Sequence, residues 1–281
     1  MAFLDHIIAC NRWNPADFRP LKAAGLQVGW VRSSFLPWLQ KRPGLFKVGT
    51  DAVVILPETG DFPALSATMA SAVEQAAESG LLRKPLGELY PAASEWGSPP
   101  LFQIDRAAVP LFGIASFGVH VNGFVRRPDG IHLWIGRRAE DRAVAPGKFD
   151  NMIAGGQPIG LSLRENLAKE AEEEAGLDAE MASRAIPVGA LTYCFDDGHG
   201  LKPDTLFIFD LELSEDVMPR NRDGEVERFD LWPVDRVAQQ VRNSADFKFN
   251  VNLVLIDFLI RRGVLTPEEP EYLRLVKELR R

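Results

Sequence analysis

The run from Gly155 to Leu177 constrains this chain more than any other stretch. It opens as a glycine-rich turn and continues as a short acidic helix. Ser162 with Glu165 three residues on is a capping-box pattern, so the helix is expected to begin near Ser162. Gly176 supplies a stop. Leu163, Leu167 and Ala171 recur at helical spacing and give an apolar face. Glu170, Glu173 and Glu174 stand at i, i+3 and i+4, so their carboxylates project to one side. A solvated acidic face is one reading of that cluster. The other is a site for a divalent cation, because carboxylate oxygen is the ligand that Mg²⁺ and Mn²⁺ prefer.

Composition sets the limits. The 281 residues suggest one large or two ordinary domains, and 46% hydrophobic with 25% charged is an ordinary globular balance. A net charge of -7 argues against a nucleic-acid surface, since such domains are usually basic. A phosphate-rich substrate would need cations as an electrostatic bridge. Cys10 and Cys194 lack metal-ligand spacing and read as reduced, packed thiols in a cytoplasmic setting. The N-terminus is not a secretory signal: Asp5 falls early, and Asn11 to Pro15 ends the apolar run. No apolar stretch approaches the about 20 residues of a membrane span.

Three segments are expected: an N-terminal α+β domain over residues 1–108, a β-rich domain over 109–245, and C-terminal helices over 246–281. In the first, Met1 to Cys10 reads as a helix. Leu26 to Val31, Phe46 to Val48 and Ala52 to Leu56 read as strands, and Ser66 to Leu82 as a helix. Pro85 to Pro100 reads as loop or linker, with Trp96 inside it. Trp13, Trp30, Trp38 and Trp96 read as core aromatics or as stacking surfaces for a ring-bearing substrate. In the second, Phe117 to Arg126 and Ile131 to Arg138 flank an Arg-Pro-Asp-Gly turn and predict a hairpin. Further strands are expected at Ala185 to Phe195, Thr205 to Leu213 and Glu227 to Trp232, then a helix over Val234 to Val241. Val251 to Arg262 is mostly apolar and reads as a buried helix. Pro267 to Arg281 is amphipathic and reads as a dimer or interdomain element. Asp204 and Asp210 have no partner visible in the sequence.

The Gly155–Leu177 run resembles the signature of the Nudix hydrolases, G-x5-E-x7-R-E-U-x-E-E-x-G-U, where U is aliphatic. Gly155, Glu170, Glu173, Glu174, Gly176 and Leu177 match; Leu161 stands where the first glutamate is expected and Lys169 where the arginine is. Lys169 keeps the charge but not the bidentate fork. The resemblance implies an α/β/α sandwich around a mixed sheet, Mg²⁺ or Mn²⁺ as cofactor, and a small-molecule diphosphate as substrate. It implies Gly155, Glu170, Glu173, Glu174 and Glu227 as metal ligands. It also implies catalytic roles for Glu170, Glu173, Glu174, Lys169 and Glu225. Glu225 and Glu227 share a face if their stretch is extended, and read either as the source of a distant carboxylate for the metal or as a solvated strand edge. Phosphate or substrate contacts are expected from His120, Asn122, Arg137, Arg138, Lys148, Lys248 and Asn250. A homodimer is a further expectation.

Several phrases around this run are similar to one Nudix branch that carries an extra N-terminal domain and in fungi is fused to thiamine pyrophosphokinase. They include Gly118-Val119-His120-Val121-Asn122-Gly123, Lys148-Phe149-Asp150-Asn151-Met152-Ile153 and Phe247-Lys248-Phe249-Asn250. That resemblance implies hydrolysis of thiamine diphosphate and its oxo and oxy forms to monophosphates. A Nudix enzyme for other nucleoside diphosphate derivatives, and a catalytically weak ligand-binding module, stay open as alternatives.

Overall fold

A four-stranded and a seven-stranded sheet organise the chain in the computed structural model, which describes residues 2–82 and 84–280. Met1 and Arg281, which the sequence placed in terminal helices, lie outside the described residues.

Helix α1 (Phe3–Cys10) precedes strands β1 (Phe18–Ala23) and β2 (Leu26–Arg32), helix α2 (Leu36–Gln40), and strands β3 (Phe46–Val48) and β4 (Val53–Ile55). These strands form a sheet in the order β2-β1-β4-β3, covered by helix α3 (Phe62–Glu78). The α3 start lies four residues before Ser66 because the Asp61 side chain caps it, accepting from the Ala64 N–H at 3.0 Å, and Pro63 suits the first turn. Leu21, Phe46, Leu65, Met69 and Phe112 share the core of this unit. A hairpin of β5 (Leu89–Ala92) and β6 (Phe102–Asp105) arises inside and just after the segment expected to be loop. Pro91 is tolerated there because a two-stranded ribbon consists of edge strands. Helix α4 (Val109–Phe112) closes the unit.

The second unit begins with the long hairpin β7 (Ser116–Arg127) and β8 (Gly130–Arg138), as the turn sequence predicts. Then come β9 (Phe149–Asp150), β10 (Ile153–Gly156), α5 (Leu163–Ala175), α6 (Ala179–Ser183), β11 (Ile186–Asp196), β12 (Leu201–Glu212), β13 (Val226–Pro233), α7 (Val234–Asn243), α8 (Val251–Arg261) and α9 (Tyr272–Glu278). The sheet runs β11-β12-β7-β8-β13, with β10 on β7 and β9 on β8; β12 and β7 are parallel and the other pairs antiparallel. Residues alternate between faces. Val119, Val121, Phe209 and Leu211 pack with Leu167 and Ala171 of α5. Phe124, Leu206 and Ile208 pack on the opposite face with Phe258 and Leu259 of α8. The expected α/β/α sandwich with a mixed sheet is therefore present, preceded by an α+β unit.

Two features cross the segment boundaries drawn from sequence. The apolar face of α1 (Phe3, Leu4, Ile7, Cys10) lies in the same core as Leu275 and Leu279 at the other end of the chain. Helix α9 spans only Tyr272–Glu278, and its Leu275 is fully buried against that core. Cys10 and Cys194 are both free thiols. Among the described residues no helix is long and apolar enough to cross a membrane.

Candidate active site

Local chemistry sets α5 in place. The Ser162 hydroxyl accepts from the Glu165 N–H at 3.2 Å, and the Glu165 carboxylate accepts from the Ser162 N–H at 2.8 Å. Gly176 ends the helix at φ 65°, a left-handed conformation that favours glycine. Asn166 ties the helix to the glycine loop by donating to the Gly156 carbonyl at 2.8 Å. Gln157 braces the loop by donating to the Leu161 carbonyl at 2.6 Å. The Leu161 side chain is exposed, so the missing carboxylate leaves an apolar group in water rather than a hole in the site.

These constraints aim the three glutamates. Glu174 is buried and accepts from the Ala154 N–H at 2.7 Å. Glu170 is buried directly over Gly155, where an added Cβ would overlap its carboxyl carbon. Lys169 donates to Glu170 at 3.0 Å and to Glu173 at 2.8 Å, drawing Glu173 outward. Among the described residues no three His, Cys, Asp or Glu side chains converge as a ready-made metal cluster, and Lys169 bridges two of the three glutamates.

The donor chemistry nevertheless fits a hard divalent cation. Burial pushes the Glu174 carboxyl up to about 8, with the Glu170 charge adding to the shift. Burial also raises Glu170, against the pull of Lys169. Of these two carboxylates held out of water, only Glu170 meets an ammonium, while Glu174 has a backbone N–H; the pair is short of positive charge, and a cation with oxygen preference relieves that. The Gly155 carbonyl lies against β7, 2.9 Å from where a Cβ on Gly118 would stand.

The remaining sequence candidates divide into three sets. His120 and Asn122, two residues apart on β7, are linked through the Asp150–Asn151 segment to Lys248. His120 meets the Asn151 side-chain oxygen at 2.8 Å, Asn151 donates to Asn122 at 2.9 Å, and Lys248 reaches Asp150 at 3.3 Å. Burial and then the Lys248 charge push the His120 pKa down to about 4, so the ring is neutral at pH 7. Arg138 is committed to Asp150 at 2.9 Å, and Asn250 donates to the Tyr193 hydroxyl at 3.2 Å. These two brace the interior. Arg137 lies 5.1 Å from the Phe149 ring centroid and 3.6 Å from Glu140, and Lys148 donates to the Ala245 carbonyl at 2.8 Å.

Glu225 and Glu227 each take an arginine partner of their own. Glu225 pairs with Arg142 at 2.6 Å and Glu227 with Arg228 at 3.6 Å, half-exposed. A register shift between Val226 and Arg228 breaks the alternation that would have put both acids on one face.

Sequence reasoning did not single out Asp150 or Asn151, which anchor the polar set, nor Tyr90. The Tyr90 hydroxyl stands against Gly156, where a Cβ would overlap it. The Leu89 carbonyl accepts from the Ile159 N–H at 2.9 Å, so β5 of the N-terminal unit forms one wall of the glycine loop. The two aspartates without visible partners find them in the fold. Asp204 accepts from Ser116 at 2.7 Å and Tyr193 at 2.8 Å; Asp210 accepts from Asn122 at 3.0 Å and from Arg261 and Arg262.

A mixed sheet between helices, with a glycine loop feeding a capped helix that presents clustered glutamates, is the Nudix arrangement. The NUDIX domain model matches residues 116–251, and a domain of unknown function, DUF4743, matches residues 2–116. The chain belongs to the Nudix hydrolases, enzymes that cleave diphosphate linkages in small molecules with divalent metal ions. It is 39% identical over 282 residues to the chloroplastic Nudix hydrolase 24 of Arabidopsis thaliana, covering 99% of this chain and 77% of that protein. Nudix hydrolase 20 of the same plant, also chloroplastic, is 38% identical over 289 residues with the same coverage. DR0079 from Deinococcus radiodurans is a solved structure with 18% identity and a TM-score of 0.44, covering 62% of this chain and 98% of that one.

The close approach at Gly155 gives a direct expectation. Gly155→Ala forces the Glu170 carboxyl aside, and a displacement of about 1 Å costs roughly 10²-fold in turnover. Steady-state rates alongside thermal unfolding separate this from misfolding. An alanine variant with wild-type turnover contradicts the placement of Glu170.

Proposed function

We propose that this enzyme hydrolyses the phosphoanhydride of thiamine diphosphate and its oxidised oxo and oxy analogues, releasing monophosphates, with Mg²⁺ or Mn²⁺ held by Glu170, Glu173 and Glu174. The observation that carries the metal assignment is the pair of buried carboxylates, Glu170 over Gly155 and Glu174 on the Ala154 N–H, near enough that the Glu170 charge raises Glu174. When bound, the divalent ion neutralises phosphate oxygens and lowers the pKa of an attacking water.

The chain's own residues do the rest. Glu170, whose proton affinity is raised by burial, accepts the proton from water. Lys169, which bonds Glu170 and Glu173, would be released in part toward phosphate charge if those glutamates held a cation. The Ala154 N–H keeps the Glu174 oxygen fixed in direction. His120, neutral and bonded to Asn151, faces the same interior as Lys248 and offers an uncharged contact to the organic part of the substrate.

Thiamine is favoured by the phrase-level similarity around residues 118–123, 148–153 and 247–250, and by an aromatic cluster contributed by both units. Trp96 lies 4.6 Å from both Phe117 and Phe207, centroid to centroid, and remains half-exposed. The π-faces of such a cluster attract a thiazolium cation. A reducing, cytoplasmic location is part of this reading, on the strength of two free thiols. Dimerisation is part of it on the strength of exposed Leu273 and Val276 on α9, and light scattering checks it.

The test is a phosphate-release screen over thiamine diphosphate, its oxidised forms, ADP-ribose and nucleotide sugars with Mg²⁺ or Mn²⁺. Preference for the thiamine compounds by about tenfold or more is expected. A preference for ADP-ribose or nucleotide sugars replaces the substrate, and no turnover of any compound replaces the enzyme reading with a binding one.

A further inference from the structure

We infer that Arg106, supplied by the N-terminal unit, is a substrate-binding residue that grips the diphosphate at the mouth of the α5 site. This inference rests on the diphosphatase reading above.

The observation is a wall. Strand β5 lies along the glycine loop, with the Leu89 carbonyl bonded to Ile159 and the Tyr90 hydroxyl filling the space beside Gly156. The residue before Gly156 in β10, Gly155, is the one covered by Glu170. Tyr90 feels the Glu170 charge across that step, and Glu170 feels Glu88. Arg106 follows β6, the partner strand of β5. Its guanidinium carbon stands 5.8 Å from the Tyr90 ring centroid, and its Nη1 donates to Glu88 at 2.8 Å. Glu225 also acts electrostatically on it. The side chain remains half-exposed.

The base of Arg106 is built to be rigid while its tip is free to change partners. Buried Asp105 accepts from the backbone N–H groups of Leu86 at 3.1 Å, Gly87 at 2.7 Å and Ala107 at 2.9 Å. The Arg106 N–H itself donates to the Glu88 carbonyl at 2.8 Å. Four hydrogen bonds fix the base of a side chain whose ion pair is half-exposed and worth only about 0–1 kcal/mol.

Charge balance points the same way. Lys169 is shared by two glutamates, while Arg138 and Lys248 are both held by Asp150. Lys148 is turned to a backbone carbonyl. A diphosphate brings several negative charges to a site already lined by carboxylates, and a planar guanidinium meets two phosphate oxygens at once. The guanidinium exchanges the Glu88 carboxylate for phosphate; no bond is made or broken.

The test is calorimetric titration of the full chain, in Mg²⁺, with thiamine diphosphate, ADP-ribose and thiamine monophosphate. Charge-assisted hydrogen bonds of ordinary strength correspond to about 10- to 100-fold in affinity. Arg106→Gln is expected to weaken the diphosphate that the wild type binds by that factor, and to change monophosphate binding by less than about threefold. Glu88→Gln, which frees the guanidinium, is expected to keep or tighten diphosphate binding. Thermal unfolding of both variants is expected to match the wild type, because the pair is half-exposed. Equal weakening by both variants, or unchanged diphosphate binding in Arg106→Gln, overturns the assignment, as does a wild type that binds neither diphosphate. If the wild type binds a diphosphate without hydrolysing it and Arg106→Gln still loses that binding, the diphosphatase reading fails and Arg106 stands. If only ADP-ribose binds, the thiamine assignment fails and the same two variants decide Arg106 on that probe.

Discussion

Glu174→Gln is expected to lower Mg²⁺-dependent turnover by roughly 10²–10⁴-fold. The substitution keeps an oxygen for the Ala154 N–H, so α5 stays seated and the loss reads out chemistry rather than folding. It also removes a buried charge, and this has a sign that can be checked without substrate. The Glu174 carboxyl is raised from 4.5 to about 8 in the folded chain by burial and by Glu170. The folded state therefore binds the proton more tightly than the unfolded state between those values. In chelator, Glu174 is expected to contribute a fall in stability of up to about 1.4 kcal/mol per pH unit between about pH 5 and pH 8; below pH 6.5 the depressed His120 contributes the opposite slope, so the Glu174 effect is read cleanly between pH 6.5 and 8. Glu174→Gln flattens that slope, because its side chain does not titrate. Saturating Mg²⁺ flattens it in the wild type, because a ligand that binds only the folded state offsets the repulsion. Denaturant melts at pH 5, 6.5 and 8, with and without chelator, supply the measurement. A wild-type slope unchanged by Mg²⁺, with full turnover in the variant, sinks the metal site.

Asp210→Ala is expected to destabilise the chain by about 3–5 kcal/mol, the cost of leaving buried charge unpaired. Asp210 is buried and receives the Arg261 guanidinium at 2.6 and 3.0 Å, Arg262 at 2.7 Å and Asn122 at 3.0 Å. Through Asn122 and Asn151 the same set reaches His120, so this aspartate supports both the α8 packing and the polar interior of the site. The other end of the set, Asp257, is bonded to Arg261 at 2.6 Å and to Arg280. The control is Arg126→Ala, which breaks an exposed pair with Glu212 at 3.1 Å and is expected to cost under about 1 kcal/mol. Urea unfolding with an unchanged m-value is the check. A loss below about 1 kcal/mol for Asp210→Ala removes the network from the account of stability.

The two predictions differ in how far the sequence could see them. Glu170, Glu173 and Glu174 belong to one capped helix, where spacing alone dictates direction. Their partner Lys169 is a neighbour in sequence, yet its bridging of Glu170 and Glu173 became visible only once the rotamers were placed. Asp210 and Asn122 are 88 residues apart, and nothing local in either segment announces the other. The same limit hid the β5–β6 hairpin, whose Pro91 and flanking glycines read as loop until the partner strand and the wall of the glycine loop gave it something to pair with. Glu225 and Glu227 were drawn together by strand alternation and separated by one irregularity in register.

Short-range forces alone settled the acidic helix: its caps, its apolar stripe and the carboxylates on its side all lie within a few residues of one another, so helical geometry allows one answer. Long-range packing settled everything that needs two distant segments at one place: the N-terminal wall with Tyr90 and Arg106, the polar interior around Asp150, and the union of the first and last helices in a single core. A chain encodes such pairings only through complementary burial and charge, which take effect when the segments meet.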